Sequence, residues 1–429
     1  MSPGPLHYSS ISDLLKQRRA EMNISLRRLA VLSQIDKGHI SKIENGEVKQ
    51  PEFATVYRIT SAMGISFEET VEHYIEASSR SDELIRILEE AITKSNTKLL
   101  AKISNKYLQS TQEDSYEAVE KLYNITMNQD SPTTKLALYK VIKNYSRDHG
   151  VMPYLAKGMY QEYLIERDDF TRLKKTYEMG RRILQFTQFL SESESVTFYY
   201  KLGVHAYNLR LFEDSIELCS KVLDQEPSLS KIKVDSTGII VDSHDHLGNY
   251  DSCNAYLEQY SKYTAAFPYV QNHVEVTTAS LYTRKGDTQA AISILEKCLE
   301  NCNDNSLLHV VNKLVGLHLR SEDLSRINEL LKLEEKILAI TYRTPYKQIE
   351  LAHFYKLKGQ YNIIVGDIIH GVNCFIESGT RYAKVNDYEN ERHCLSLVLD
   401  LHIKHGALLG NTALEMLRNL FNIKEESLT

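Results

Sequence analysis

From about residue 81 the sequence repeats itself at long intervals, and no other feature restricts the possible folds so strongly. The copies are "DDFTRLK" (168–174), "RLFEDSI" (210–216), "GNYDSCN" (248–254), "GDTQAAI" (286–292), "SEDLSRI" (321–327) and "GDIIHGV" (366–372). Each places a polar turn before a small or apolar pivot: Leu173, Ser215, Cys253, Ala291, Ile327 and Gly371. The pivots recur every 36–44 residues. One such unit cannot bury its own apolar face, so the units must stack as helix pairs into a solenoid. The eight prolines agree, because all fall where helices can begin or end. Ser131-Pro132 and Thr344-Pro345 read as N-cap and first turn. Only "KIKVDSTGIIV" (231–241) is rich enough in β-branched residues to suggest a strand. The repeat register makes it the first helix of a pair. Residues 83–148 read as further helices, and "ALLGNTALEMLRNLFNI" as a final capping helix. The expected class is all-α.

Charge divides the chain. Its net charge is −6, yet residues 1–66 carry nine Lys/Arg against six acids, which leaves the body strongly acidic. A small basic head on an acidic body points to a polyanion partner for the head alone. No apolar run approaches ~18 residues, so no membrane span is expected. "MSPGPLHYSS" has no basic-then-apolar order, so no secretory leader is expected either. Six scattered cysteines without a CxxC pair read as reduced thiols in helices, and the chain as cytoplasmic. There is no Walker loop, GxSxG or HExxH, and no enzyme activity or cofactor is expected. In "DSHDHLGNY" (242–250), Asp242 and His246 share a helix face, but His244 points away and no third ligand is evident, so no metal is expected.

The head reads as five short helices over about 11–22, 26–32, 37–44, 52–62 and 67–77. Ser10 with Asp13, and Ser66 with Glu69, have capping-box spacing. Ile11, Leu14, Leu15, Leu26, Leu29, Ala30, Ile40, Ile43, Phe53, Val56, Ile59, Met63 and Ile65 suffice for one small core. The stretch "DKGHISKIENG" (36–46) is unlike the others. Asp36 caps a helix with only Ile40 and Ile43 to anchor it, while Lys37, Gly38, His39, Ser41 and Lys42 face outward. Small and cationic residues at a helix N-terminus suit entry into a major groove. Gly46 tolerates the positive φ of the turn that follows.

"LRRLAVLSQIDKGHISKIENGEVKQP" resembles the Xre/Cro/C1-type helix-turn-helix of phage repressors and bacterial regulators. The resemblance covers residues 11–76. It implies base-facing positions at Lys37, Gly38, His39 and Lys42 and phosphate-facing positions at Arg27, Asn45 and Lys49. Leu26 stands where that family often carries Gln. The body is similar to a tetratricopeptide array with a longer period, its best copy being "YYKLGVHAYNLRLFEDSIELCSKVLDQEP". With the pivot as position 20, positions 2, 5, 9 and 13 line a concave groove. These include Glu162 and Glu166, Tyr200 and Asn208, Asp242 and His246, His273 and Arg284, and His309, Asn312 and Arg320. Asn can donate to and accept from a peptide backbone, and Arg can clamp a carboxylate.

Together the halves resemble the RRNPP group of peptide-pheromone receptors (Rap, Rgg, NprR, PlcR, PrgX). That resemblance implies a domain order of 1–76 for the DNA-binding head, 77–82 for a hinge and 83–429 for the array. It also implies a homodimer or higher oligomer, operator DNA and a secreted, re-imported oligopeptide as partners, and no membrane. An alternative within the same group is an adaptor that binds and inhibits or dephosphorylates a response regulator. Its water-orienting candidates would be Gln109, Gln112 and Glu113.

Overall fold

The computed structural model describes residues 11–77, 80–94, 96–110, 113–342, 344–405 and 413–419. Among these, every regular element is helical. The chain divides into two compact units. One holds the residues through Ile165 together with Ile183–Leu190, and the other holds Glu166–Arg182 and the chain from Ser191 onward. No helix among the described residues is long and apolar enough to cross a membrane.

In the first unit, α1 (Ile11–Glu21), α2 (Leu26–Ser33), α3 (Lys37–Glu44), α4 (Phe53–Ala62) and α5 (Phe67–Ala77) form the head. Of the residues expected in its core, all are buried except Leu26 and Ala30, which are half-buried. Helices α6 (Ser81–Thr93), α7 (Thr97–Ser110), α8 (Ser115–Met127), α9 (Pro132–Asp148) and α10 (Met152–Glu166) follow. The head shares one apolar core with these helices, which runs from Ile11 to Tyr154. The compact unit therefore extends well past the expected boundary at 76. Two contacts explain why. The buried Glu83 of α6 accepts a hydrogen bond from Phe53 N–H at 2.6 Å, capping α4 where Glu52 makes no side-chain cap. Lys94 places its ammonium 3.3 Å from the centre of the Phe67 ring. Residues 78–79 of the expected hinge lie outside the described residues, as do Ser10 of the first capping box and most of the expected final helix.

The second unit is a run of helical hairpins. Its helices are α11 (Leu173–Ile183), α12 (Glu192–Asn208), α13 (Phe212–Gln225), α14 (Lys231–Leu247), α15 (Tyr250–Ser261), α16 (Tyr269–Arg284), α17 (Thr288–Asn301), α18 (Asp304–Arg320), α19 (Leu324–Leu331), α20 (Glu334–Ala339), α21 (Pro345–Ile364), α22 (Ile368–Lys384) and α23 (Tyr388–His405). The β-branched stretch 231–241 is helical, inside α14. Ser215, Cys253, Ala291, Ile327 and Gly371 each stand fourth in their second helix, and each is buried. At that position a side chain meets the first helix of its own hairpin, so it must be small or apolar. Ser215 donates to Gly203 O at 3.0 Å. Gly203 is needed there because a Cβ would come within 2.7 Å of Cys219 Sγ.

Five residues before each of these pivots the chain turns through a left-handed conformation: Arg210, Gly248, Gly286, Glu322 and Gly366 all have φ between 57° and 89°. Asp287, Asp323 and Asp367 then cap their helices, accepting from the N–H groups of Ala290, Arg326 and His370. This one turn geometry, repeated, sets the two helices of each hairpin against one another.

Candidate functional site

Two places concentrate outward-facing polar chemistry. The first is α3. Asp36 Oδ1 accepts from Gly38 N–H at 2.8 Å and His39 N–H at 3.1 Å, which fixes the start of the helix. Ile40 and Ile43 are wholly buried and hold the opposite face to the core. Lys37, Gly38, His39 and Lys42 are exposed, and Ser41 is half-buried. Arg27, Asn45 and Lys49 are exposed beside them. A Cβ at Gly38 would stand 3.0 Å from the capping Asp36 oxygen, so the helix start is built around a residue without one.

The α2–α3 turn carries two devices that the sequence pattern alone did not single out. Gln34 ends α2 in the left-handed region at φ 57°. Arg58 of α4 donates from Nη2 to Gln34 O at 3.1 Å and so pins this turn. At the other end of α3, Arg19 of α1 forms a two-pronged pair with Glu44 at 2.8 and 3.0 Å. Glu44 is 6% exposed, so the pair sits largely out of water. Helix α3 is thereby held at both ends.

The second place is a cavity in the second unit. It has two contiguous chambers of about 730 and 720 Å³ that share Tyr207, Asn208, Asp242, Val276, His309 and Tyr346. The first helices of the hairpins supply most of the wall, as the repeat register requires, and second helices add Phe212, Tyr260, Leu295 and Tyr382. Tyr200, Asn208, Asp242 and His246 line it from α12 and α14. His273 and Arg284 line it from α16, and His309, Asn312 and Arg320 from α18. Glu162 does not: it is buried in the first unit and paired with Lys143 at 2.5 Å. Glu166 pairs with Arg172 at 3.3 Å and does not line the chambers either.

Further wall residues come from α21, where the register had not been extended: Tyr346, Glu350, His353 and Lys356. The ring of Tyr346 stands 5.6 Å from that of Tyr207, across the join of the chambers. Hairpins far apart in sequence also meet. Arg210 pairs with Asp387 at 3.0 Å, and Asn386 Nδ2 donates to Thr171 O at 3.0 Å.

Each carboxylate of the cavity has a basic side chain as its partner. Asp242 contacts His273 Nε2 at 2.7 Å, Glu350 contacts His309 Nδ1 at 2.6 Å, and Asp245 contacts Arg284 at 3.2 Å. Desolvation opposes ionisation of Glu350, but His309 and Lys347 outweigh it and hold the carboxyl at about 2. The same contest lowers Asp242 and raises its partner His273. His353 is pushed down to about 4, chiefly by burial. His244 turns away from the chambers and stacks on Tyr256. Of the residues considered for water positioning, Glu113 accepts from Tyr107 OH and faces Lys121, and Gln112 lies outside the described residues.

Residues 15–69 match a helix-turn-helix family model. No curated protein matches the chain in sequence. Among solved structures, a Rap protein complexed with Competence and Sporulation Factor is similar at 11% identity. The match covers 76% of this chain and 99% of that one with a TM-score of 0.41. A plasmid-borne Rap conjugation gene regulator in complex with a Phr peptide shares 12% identity over 82% of this chain and 96% of its own, with a TM-score of 0.42. PlcR of Bacillus thuringiensis in complex with a peptide and DNA shares 14% identity over 63% and 99%, with a TM-score of 0.23. A helix-turn-helix head followed by an all-helical array is the combination that the resemblance to RRNPP receptors implies.

Proposed function

We propose that this chain is a DNA-binding transcription regulator of the RRNPP kind, switched by a short oligopeptide held in the cavity of its helical array. The observation that supports DNA binding is α3. Its exposed face is polar, small and cationic, its buried face is two isoleucines, and both its ends are clamped. Lys37, Gly38, His39, Ser41 and Lys42 then approach base edges, and Arg27, Asn45 and Lys49 approach phosphates. The cavity suits an extended peptide. It is doubly chambered, and amides, phenols and charged groups share its walls. Tyr200, Asn208, Asp242, His246, Arg284, Asn312 and Arg320 are the proposed peptide contacts. A homodimer in the cytoplasm places two heads on one operator. Peptide and DNA influence each other's affinity reciprocally, as any coupling between two sites requires.

The test is a titration of the purified full chain against DNA from upstream of its own gene. It is run with and without synthetic peptides encoded by short reading frames beside that gene. The expected result is binding that weakens steeply with salt and changes with one peptide. DNA affinity unaffected by replacing both Lys37 and Lys42 would overturn the assignment of α3. A chain that ignores DNA but forms a stable complex with a response-regulator protein would replace the whole reading with the adaptor.

A further inference from the structure

The chamber lined by Lys313 and Lys356 contains more basic side chains than its carboxylates engage. Asp242, Asp245 and Glu350 each have a partner in His273, Arg284 and His309. Arg210, also on the wall, is paired with Asp387. That leaves Lys313 of α18 and Lys356 of α21, which have no ion-pair partner among the described residues, and exposed Arg320 at the end of α18. Lys313 reaches only the Ser280 hydroxyl, at 3.1 Å. Lys356 is half-buried on the wall, and burial lowers its pKa. Both ammonium groups act on His353, which stands one helical turn before Lys356. An unpaired charge drawn out of water is costly unless something completes it. On the wall of a cavity this size, the natural complement is a charge carried by the occupant.

We propose that Lys313 and Lys356, flanking His353, form a carboxylate-binding subsite at one end of the cavity, with Arg320 at its rim. This rests on the peptide reading of the cavity and adds the polarity of the ligand. The occupant presents an anionic group to the α18–α21 wall, and the rest of it runs past the Tyr207–Tyr346 pair into the second chamber. That chamber offers phenols and apolar surface from Tyr200, Tyr260, Tyr269 and Ile239. A carboxylate is the anion that a peptide carries, either at its C-terminus or on Asp and Glu, and a paired-cation site recognises both.

The experiment exposes the full chain to two randomised hexapeptide pools, one with free C-termini and one C-terminally amidated, and identifies captured peptides by mass spectrometry. A terminal carboxylate in the subsite predicts capture from the free pool at least tenfold above the amidated pool. An acidic side chain in the subsite predicts capture from both pools with enrichment of Asp and Glu. In either case Lys313→Met and Lys356→Met each lower capture about tenfold, the order expected for losing one charged hydrogen bond. Lys356→Glu moves the selected peptides toward Lys and Arg. Equal capture from both pools, without acidic enrichment, overturns the subsite and leaves peptide binding standing. No capture from either pool overturns the peptide reading and the subsite with it. The comparison of pools uses the unaltered chain, so a variant that fails to fold does not obscure the answer.

Discussion

Single residues decide how firmly α3 is presented. The Arg19–Glu44 pair joins α1 to the last turn of α3 with little access to water. Arg19→Met strands the buried Glu44 carboxylate and is expected to destabilise the head by about 3–5 kcal/mol. Glu44→Leu costs less, because the Arg19 side chain left behind is 22% exposed, and the double replacement recovers most of the larger loss. Hydrogen exchange at the α3 amides reads this directly, and additive losses would contradict it. Gln34 is a second test. Its left-handed backbone costs a residue with a side chain ~1–2 kcal/mol. Gln34→Gly should stabilise the head by up to about 1 kcal/mol, after allowing for the greater freedom of glycine in the unfolded chain. Gln34→Val should destabilise it by at least as much, read by the same exchange. Neither device was legible in the sequence. A long-range ion pair leaves no periodic trace, and glutamine does not announce positive φ as Gly46 does. The outward set on α3 was legible, because an exposed face follows from helical spacing once Ile40 and Ile43 are assigned to the core.

Among the elements, the recurrent turn carries the array. Register counting worked because the hairpin fixes both the pivot and the inner face of the first helix. Positions 5, 9 and 13 found Tyr200, Asp242 and Arg284 on the cavity wall. The same count applied to the pivot Gly371 lands on His353 and Lys356, so these were recoverable from sequence. They were missed because the count was not carried on to this last pivot, although α20 lengthens the interval before it without disturbing the register. Counting failed at Glu162, where the chain belongs to a different compact unit and the carboxylate is used by Lys143. The turn also gives a prediction. Glu322 adopts φ 57° where three of the other hairpins have glycine and one has Arg210. Glu322→Gly is expected to stabilise the α18–α19 hairpin by up to about 1 kcal/mol, seen as slower amide exchange in α19 and unchanged exchange in α13. For α3, Lys37→Ala or Lys42→Ala should cost about 1–3 kcal/mol in operator binding and relax sequence preference. Arg27→Ala and Lys49→Ala should each weaken all DNA alike and reduce the salt slope by about one. Filter binding at several salt concentrations separates the two patterns.

At the scale of the whole molecule, the buried histidines link the stability of the array to pH. His205 is 2% exposed and its ring donates to Leu173 O at 2.8 Å. Burial holds its pKa at about 4, and that of His353 likewise. In the unfolded chain both return toward ~6.5. Between those values the unfolded state binds protons that the folded state refuses, so stability falls as pH falls from 6.5 to 4. His273 acts in the opposite sense. Its raised pKa adds stability that is complete below ~6.5 and is lost as pH rises through the folded value. Glu350, held at about 2, adds stability that is lost only below ~4.5, as pH falls toward its folded value. The array should therefore be most stable near neutrality and weaken on mild acidification before the Glu350 carboxylate is protonated. Moving from pH 7 to pH 5 is expected to cost about 2 kcal/mol for His205 and less for the half-buried His353. Urea unfolding at the two pH values measures the loss. His205→Gln, which keeps a donor for Leu173 O, should lower stability at pH 7 and shrink the difference between the two pH values. An equal difference in that variant would place the pH sensitivity elsewhere, with the Asp242–His273 and Glu350–His309 pairs the next groups to alter.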